Sequence, residues 1–136
     1  MSDCIFCKII SGEIPAQRVY ENEKSLAFLD IRPVNPGHTL VVPKKHFENL
    51  LDAPPDVLVA MMDATQKVAK AILLATGDES FNLGVNNGAV AGQVVFHLHL
   101  HIMPRHPNDG HHLWSGKEYQ VGEAEKLAQK IRDSLT

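Results

Sequence analysis

The amino-acid sequence predicts an α+β domain that combines an antiparallel sheet with one long helix. Short apolar segments bounded by turn residues predict several strands, and one stretch between residues 54 and 77 has helical periodicity. Residues 96–104 alternate histidine with large apolar side chains, which is the two-residue period of a strand. Because strands precede and follow a single long helix, an antiparallel meander is favoured over a parallel sheet.

The first part of the chain predicts a short N-terminal helix and three strands. Residues 4–10 supply an apolar side for the helix, and the Ser-Gly-Glu-Ile-Pro segment that follows ends it. Residues 17–20 and 26–30 predict a hairpin. Residues 38–43 predict a third strand, which begins after a Pro-Gly turn.

The second part of the chain predicts the long helix, a fourth strand and a C-terminal helix. Pro54-Pro55-Asp56 opens the long helix and Gly77 ends it. Residues near 3.6-residue spacing form its buried stripe: Leu58, Met61, Met62, Thr65, Val68, Ala69, Ile72 and Leu73. Residues 80–86 predict a strand, and 121–135 an amphipathic helix in an extension of about 118–136.

Length and charge limit the classes of function. The 136 residues fit one domain, 1–136, with 44% hydrophobic and 21% charged residues. A net charge of −3 argues against a nucleic-acid partner, which would require a basic face. No apolar run approaches the ~20 residues of a membrane span, and no secretory leader is recognisable. We therefore expect a cytoplasmic protein with neither nucleic-acid nor membrane partners.

The histidine segment predicts a row of imidazoles on one face of a strand. Three histidines share that face: His97, His99 and His101. The residues between them face the core: Leu98, Leu100 and Ile102. At a rise of about 3.3 Å per residue, the first and last histidines lie about 13 Å apart, so one zinc ion is not expected to bind all three. The three histidines are therefore expected to have different roles.

The loop before the histidines is rich in small residues. Gly88, Ala91 and Gly92 allow a ligand to approach the backbone closely, and backbone N–H groups in such a loop can bind phosphate oxygens. Asn86 and Gln93 add side-chain donors. The sequence thus predicts a phosphate group beside nucleophilic imidazoles.

The two cysteines, Cys4 and Cys7, have the spacing C-x-x-C. In a reducing compartment this spacing indicates metal or redox chemistry rather than a structural disulfide. Two thiolates supply only half of a tetrahedral zinc site, so two further ligands are needed. The alternative is a pair of reduced thiols on a short helix.

The histidine segment resembles the signature of the histidine triad (HIT) superfamily, which matches residues 97–103. Further segments resemble the nucleotide-binding, Hint-like branch: residues 5–10, 12–15, 27–31, 38–46 and 86–88. The resemblance extends over about residues 4–105, within which 86–105 form the triad region. It implies a HIT-like α+β fold and a homodimer whose sheets join across the dimer.

The same resemblance implies a purine nucleotide hydrolase or transferase that acts at the α-phosphate. Its partners would be AMP, GMP or their conjugates. The implied substrates are nucleoside phosphoramidates, dinucleoside polyphosphates or related adenylylated compounds, cleaved through a covalent nucleotidyl-histidine. His99 matches the nucleophile, His101 the histidine that orients the α-phosphate, and His38 a histidine near the active site, for which a structural role is equally open.

The resemblance also implies residues that bind substrate and metal. Asp30 matches the residue that binds the ribose hydroxyls. The apolar clamp on the base matches Phe6, Ile9, Ile31 and Leu40, and the phosphate contacts match Asn86, Gly92 and Gln93. A structural zinc ion would be bound by Cys4, Cys7, His46 and His97. The remaining histidines, His106, His111 and His112, are expected to be solvated.

Three departures from the family pattern bear on the leaving group. Val94 stands where many Hint-like proteins have Ser or Thr, Pro104-Arg105 stands in place of Gly-Gly-Arg, and the C-terminal helix extends further. A different leaving-group preference is therefore expected. Two alternatives remain at this point: a nucleotide-binding regulatory module with little turnover, and a zinc hydrolase that uses two adjacent triad histidines.

Overall fold

The structure is a computed structural model that describes residues 3–136, so the first two residues of the predicted 1–136 domain lie outside it. Its elements, in chain order, are α1 (Ile5–Ile10), β1 (Arg18–Glu21), β2 (Ser25–Leu29), β3 (Thr39–Pro43), α2 (Pro55–Thr76), β4 (Ser80–Val85), β5 (Leu100–Arg105) and α3 (Glu123–Ser134). A short 3-10 turn, Ala89–Ala91, lies in the loop before β5. These bounds follow the predicted elements closely except at the histidine segment.

The five strands form one antiparallel sheet in the order β1-β2-β3-β5-β4. The predicted α+β class is confirmed, but a sequential meander holds only for the first three strands. Strand β5 lies between β3 and β4, and β4 forms an edge. The histidine strand is therefore flanked on both sides, which fixes the orientation of its side chains.

The sheet is covered on both faces at its centre, where β2 and β3 are buried almost throughout. On one face α2 packs against Ala27, Val41, Leu98, Leu100 and Ile102. On the other face α1 contributes Phe6 and Ile9, which pack against Leu26, Phe28, Leu40 and Val42. This second face also carries the histidines, because they alternate with the α2-facing leucines.

The long helix has the boundaries that the sequence predicts. Pro55 occupies the first helical turn, where its missing N–H is not needed. Gly77 ends the helix in the left-handed region at φ 80°, and its N–H donates to the carbonyl of Leu73 at 2.9 Å. No helix among residues 3–136 is long and apolar enough to cross a membrane.

The histidine segment is only partly a regular strand. The alternation predicts a strand over 96–104, but β5 begins at Leu100. The reason is a contact distant in sequence: the N–H of Leu98 donates to the carbonyl of Phe47 at 2.7 Å, outside the ladder. The alternation survives, since Leu98 and Ile102 are buried against α2 while His97 and His99 face the other side.

Candidate active site

His99 is buried, and its ring has a defined tautomer. Its Nδ1 lies 2.7 Å from the carbonyl oxygen of His97, and because a carbonyl only accepts, Nδ1 must carry the proton. Burial lowers the pKa of His99, so the ring is neutral near pH 7. The Nε2 atom therefore retains a lone pair, as a nitrogen nucleophile requires.

A chain of hydrogen bonds sets the tautomers of His38 and His101. The N–H of Val34 donates to Nδ1 of His38 at 3.0 Å, so the His38 proton lies on Nε2. That Nε2 donates to Nδ1 of His101 at 2.9 Å, which leaves the His101 proton on Nε2. Among the described residues this Nε2 has no partner although it is buried. His101 thus offers one N–H donor to a ligand.

The electrostatics of this pair favour neutral rings. Burial lowers the pKa of His38 despite the carboxylate of Asp30, whose Oδ2 lies 3.6 Å from Nε2 of His38. Burial, reinforced by the neighbouring imidazoles, lowers the pKa of His101 to about 4. Both rings are thus uncharged near pH 7 and act through directed hydrogen bonds.

Asp30, His38 and His101 have ligand atoms within 4.8 Å of one another, which raises the question of a metal ion. Two nitrogens bound to one tetrahedral zinc would lie about 3.3 Å apart. The observed nitrogen separation of 2.9 Å fits a hydrogen bond better. The proton required on Nε2 of His38 also leaves no lone pair there for a metal.

The predicted apolar clamp is assembled in part. Phe6, Ile9 and Leu40 belong to one buried cluster on the histidine face. The ring of Phe6 stands edge-on to that of His99, with centroids 5.0 Å apart and planes at 84°. Ile31 lies outside the cluster, with 90% of its side chain exposed. The structure therefore brings together three of the four residues and leaves the fourth in solvent.

The small-residue loop is held by Gln93 rather than by a ligand. Oε1 of Gln93 accepts the N–H of Gly88 at 2.9 Å, and Nε2 donates to the carbonyls of Glu48 and Val95. Both amide hydrogens are used, so in this conformation Gln93 has no hydrogen for a phosphate contact. The prediction of a direct contact is thereby revised to that of a residue that positions the loop.

Gly92 and Asn86 lie against each other at the start of the site. Gly92 has φ 98°, a left-handed conformation that disfavours side chains. A Cβ at Gly92 would approach Nδ2 of Asn86 to 3.5 Å. The close approach keeps the loop backbone beside the Asn86 amide.

The two cysteines lie beside the two histidines that the family resemblance implies as their partners. The Sγ atom of Cys4 lies 3.4 Å from Nδ1 of His97, and that of Cys7 lies 3.4 Å from Nδ1 of His46 and 3.6 Å from Nδ1 of His97. Sulfur and nitrogen ligands of a tetrahedral zinc are about 3.6 Å apart, given bonds of about 2.3 and 2.05 Å. The four residues thus fit a Cys₂His₂ zinc site.

The surroundings of the cluster also suit a metal. Nε2 of His97 donates to the carbonyl of Pro43 at 2.9 Å, which leaves Nδ1 unprotonated toward the thiols. Burial and the adjacent Cys4 raise the pKa of the Cys7 thiol, so a cation is needed to hold its thiolate. Cys4 also caps α1, since its Sγ accepts the N–H of Cys7.

A cavity of about 470 Å³ opens beside His101. Residues of β4 and β5 form its floor, and a segment after β5 forms one wall. That segment contains His111, His112, Leu113 and Trp114. The two histidines are exposed, and no pattern in the sequence indicates that they lie on the His101 side of the molecule.

The chain matches the family model of the HIT domain over residues 11–108. It belongs to the HIT family. It is 48% identical to adenylylsulfatase HINT3 of Arabidopsis thaliana over 85% of this chain, and it spans only 58% of that relative. It is 38% identical to the adenosine 5'-monophosphoramidase hnt1 of Schizosaccharomyces pombe, over 97% and 98% of the two chains.

Solved HIT-family structures have the same fold. A Bacillus subtilis member has a TM-score of 0.91 and 40% identity, with 98% of both chains covered. A zinc-bound histidine triad protein of Mycobacterium smegmatis has a TM-score of 0.77 and 37% identity, with 98% and 99% covered. The predicted HIT-like fold is therefore confirmed. The segment that carries His112 lies beyond the end of the family match.

Proposed function

We propose that this HIT protein hydrolyses conjugates of purine mononucleotides at the α-phosphate, through a covalent nucleotidyl-His99 intermediate. The observation that carries the proposal is the bond from Nδ1 of His99 to the carbonyl of His97, which leaves Nε2 unprotonated and nucleophilic. Support also comes from the relatives named as an adenylylsulfatase and an adenosine monophosphoramidase.

The reaction has two displacements at one phosphorus atom. The lone pair on Nε2 of His99 forms a bond to the α-phosphorus while the bond to the leaving group breaks, and its electron pair stays with the leaving group. The positive charge on the imidazole is stabilised by the His97 carbonyl, which accepts the Nδ1 proton. Water then attacks phosphorus, the P–N bond breaks with its electrons returning to Nε2, and the proton of the water passes to solvent.

His101 and His38 have supporting roles in this scheme. The unpaired Nε2–H of His101 donates to an α-phosphate oxygen, where negative charge accumulates in the transition state. His38 holds His101 in the tautomer that can donate. A neutral imidazole suits this role, because its donor does not depend on a protonation equilibrium near pH 7.

The nucleotide itself would lie between α1 and the loop before β5. The base would contact Phe6, Ile9, Leu40 and the exposed Ile31. Asp30 accepts hydrogen bonds from the ribose hydroxyls, and the backbone of Gly92 with the amide of Asn86 binds phosphate. An apolar clamp accepts either purine, so AMP and GMP are both expected ligands.

A structural zinc ion is the cofactor that Cys4, Cys7, His46 and His97 would bind. A filled Cys₂His₂ set leaves no open position for substrate, so the metal would supply folding energy rather than chemistry. The cluster joins α1, which carries Phe6, to the segment that carries His99. Its loss would therefore disturb base binding and nucleophile together.

A homodimer is the expected assembly. Strand β4 is an edge of the sheet, and an open edge is normally paired or protected. Phe81 and Leu83 on this strand are each 40% exposed. Pairing of two β4 strands would bury both residues and continue the sheet across the dimer axis.

The main rival is a nucleotide-binding regulatory module with little turnover. Its supporting observation is Val94, which is 86% exposed and carries no hydroxyl at the position where many Hint-like proteins have one. Pre-steady-state and steady-state kinetics with several AMP conjugates separate the two functions. An enzyme gives a burst and turnover that His99→Ala lowers by about 10⁴-fold or more. A regulatory module binds AMP but releases no leaving group beyond the background rate.

A further inference from the structure

Two sulfur atoms flank the aromatic residue that packs against His99. Cys4 caps α1 and Cys7 lies in its first turn, so the C-x-x-C pair encloses Phe6. The Sγ atoms of Cys4 and Cys7 lie 3.4 and 3.6 Å from Nδ1 of His97. The ring centroid of Phe6 lies 5.9 Å from that of His97 and 5.0 Å from that of His99. The backbone that places the two sulfurs therefore also places the Phe6 ring.

The geometry of the two thiols also suits a disulfide. Cys4 and Cys7 are free and partly exposed, and the chain has no other cysteine. Two sulfurs bound to one tetrahedral zinc are about 3.8 Å apart, whereas a disulfide brings them to about 2.05 Å. The C-x-x-C spacing is also the spacing of disulfide oxidoreductases. A small movement of the sulfur atoms therefore separates a metal-binding state from an oxidised state.

A second path of contacts leads from the cluster to the loop before β5. His46 is followed by Phe47, whose carbonyl accepts the N–H of Leu98 at 2.7 Å, directly before the proposed nucleophile. The next carbonyl, that of Glu48, accepts a hydrogen of the Gln93 amide at 2.7 Å. That amide also holds the small-residue loop. Segment 46–48 thus connects the metal ligands to both sides of the proposed nucleotide pocket.

From these contacts we propose that Cys4 and Cys7 form a reversible oxidation site, at which a hydroperoxide produces a disulfide, expels zinc and lowers the affinity for AMP. The inference rests on the zinc site and the nucleotide pocket of the proposed function and adds a redox control to both. Disulfide sulfurs carry no thiolate charge, so the oxidised cluster retains only the imidazoles of His46 and His97. Two neutral ligands do not complete a tetrahedral zinc site.

The oxidation proceeds in two steps that balance. A cysteine thiolate attacks one oxygen of hydrogen peroxide, an S–O bond forms, the O–O bond breaks, and hydroxide leaves. The second thiolate attacks the sulfur of this sulfenic acid, the S–S bond forms, the S–O bond breaks, and a second hydroxide leaves. Two protons convert the hydroxides to water, so the thiolates lose two electrons to one peroxide. A dithiol reverses the reaction by two thiol–disulfide exchanges and becomes a disulfide itself.

The effect on the nucleotide follows from the position of Phe6. Closure of the disulfide changes the backbone of residues 4–7, and loss of zinc releases α1 from segment 46–48. The Phe6 ring then loses its edge-on packing against His99 and its contact with the base. Since an aromatic contact contributes about a factor of ten in affinity, we expect the Kd for AMP to rise by about tenfold.

The test treats the purified full chain with hydrogen peroxide and follows three quantities. Mass spectrometry of alkylated peptides measures the disulfide, a colorimetric chelator measures released zinc, and calorimetry measures the Kd for AMP. We expect one zinc ion released for each disulfide formed, together with the tenfold rise in Kd. Dithiothreitol with added zinc should restore all three. Because this reductant does not repair methionine sulfoxide, recovery assigns the effect to the cysteines.

The matched control is the double variant Cys4→Ala with Cys7→Ala, which has no thiol to oxidise. Peroxide should change its Kd for AMP by less than twofold, with circular dichroism confirming that it folds. The proposal is overturned if the wild-type thiols stay reduced, if the disulfide forms without zinc release, or if Kd does not change. Untreated wild type separates the failures: protein that binds zinc and AMP but does not respond overturns only the redox site. Untreated protein that binds neither overturns the proposed function as well.

Discussion

Nε2 of His38 lies 2.9 Å from Nδ1 of His101, and the N–H of Val34 donates to the other nitrogen of His38. A backbone group of the loop before β3 thus fixes the protonation of a side chain on β5. The functional face of the sheet is organised by such directed hydrogen bonds between neutral rings rather than by charge.

The first prediction concerns His38. In His38→Ala, Nδ1 of His101 loses its donor, and the His101 proton can move to that nitrogen and away from the ligand. We expect kcat to fall by about tenfold, the value of one lost hydrogen bond of roughly 1–1.5 kcal/mol, with little change in KM. Long-range nitrogen NMR of His101 provides the independent measurement, since the resonances of the two tautomers differ. An unchanged tautomer in the variant would contradict the account.

The second prediction concerns acid stability. Unfolded imidazole titrates near pH 6.5, whereas His101 in the fold has a pKa of about 4. Between these values the unfolded chain binds a proton that the folded chain does not, so the free energy of unfolding falls as the pH drops from 6.5 to 4. In urea titrations, His101→Gln should flatten this dependence. His106→Gln, at an exposed histidine, should retain the wild-type slope, and equal slopes in all three proteins would count against a depressed pKa at His101.

The third prediction concerns the metal. We expect about one zinc per chain and a fall in Tm of about 10 °C on chelation, since a metal at a hundredfold over its Kd stabilises by about 2.7 kcal/mol. Cys7→Ser should have a low Tm before chelation and no further change after it. A wild-type protein whose Tm does not respond to metal removal would argue for reduced thiols without a metal.

The fourth prediction concerns assembly. Leu83→Arg introduces a charge on the edge strand β4 and should convert the dimer to a monomer in sedimentation. Val19→Arg is the matched control, because Val19 is 49% exposed on β1 at the other edge of the sheet. If Leu83→Arg remains a dimer, the dimer interface does not include β4.

Local pattern was enough to predict much of the site. The alternation of His97, His99 and His101 with leucines predicts which face each side chain occupies, and this holds even where the backbone leaves the ladder. The family resemblance added the ligand set of the cysteines, whose atoms the fold brings within 4.8 Å of His46 and His97. The first of these features depends on residue type and spacing alone, whereas the second came from the resemblance.

Other features depend on partners far away in sequence. The start of β5 at Leu100 is set by a hydrogen bond from the N–H of Leu98 to the carbonyl of Phe47. The side-chain amide of Gln93 likewise donates to the carbonyl of Glu48. The cavity wall depends on Asp109, whose bond to Asn35 spans 74 residues. The periodicity of the sequence does not predict contacts between such distant residues, so only the folded structure reveals them.

The most direct measurement of the nucleotidyl-His99 intermediate is mass spectrometry of protein mixed rapidly with an AMP conjugate, followed by peptide mapping of the adduct. We predict one AMP group on His99 in the wild type, and none in His99→Ala under the same conditions. An adduct on His101 or another residue, or turnover by His99→Ala at the wild-type rate, would contradict it.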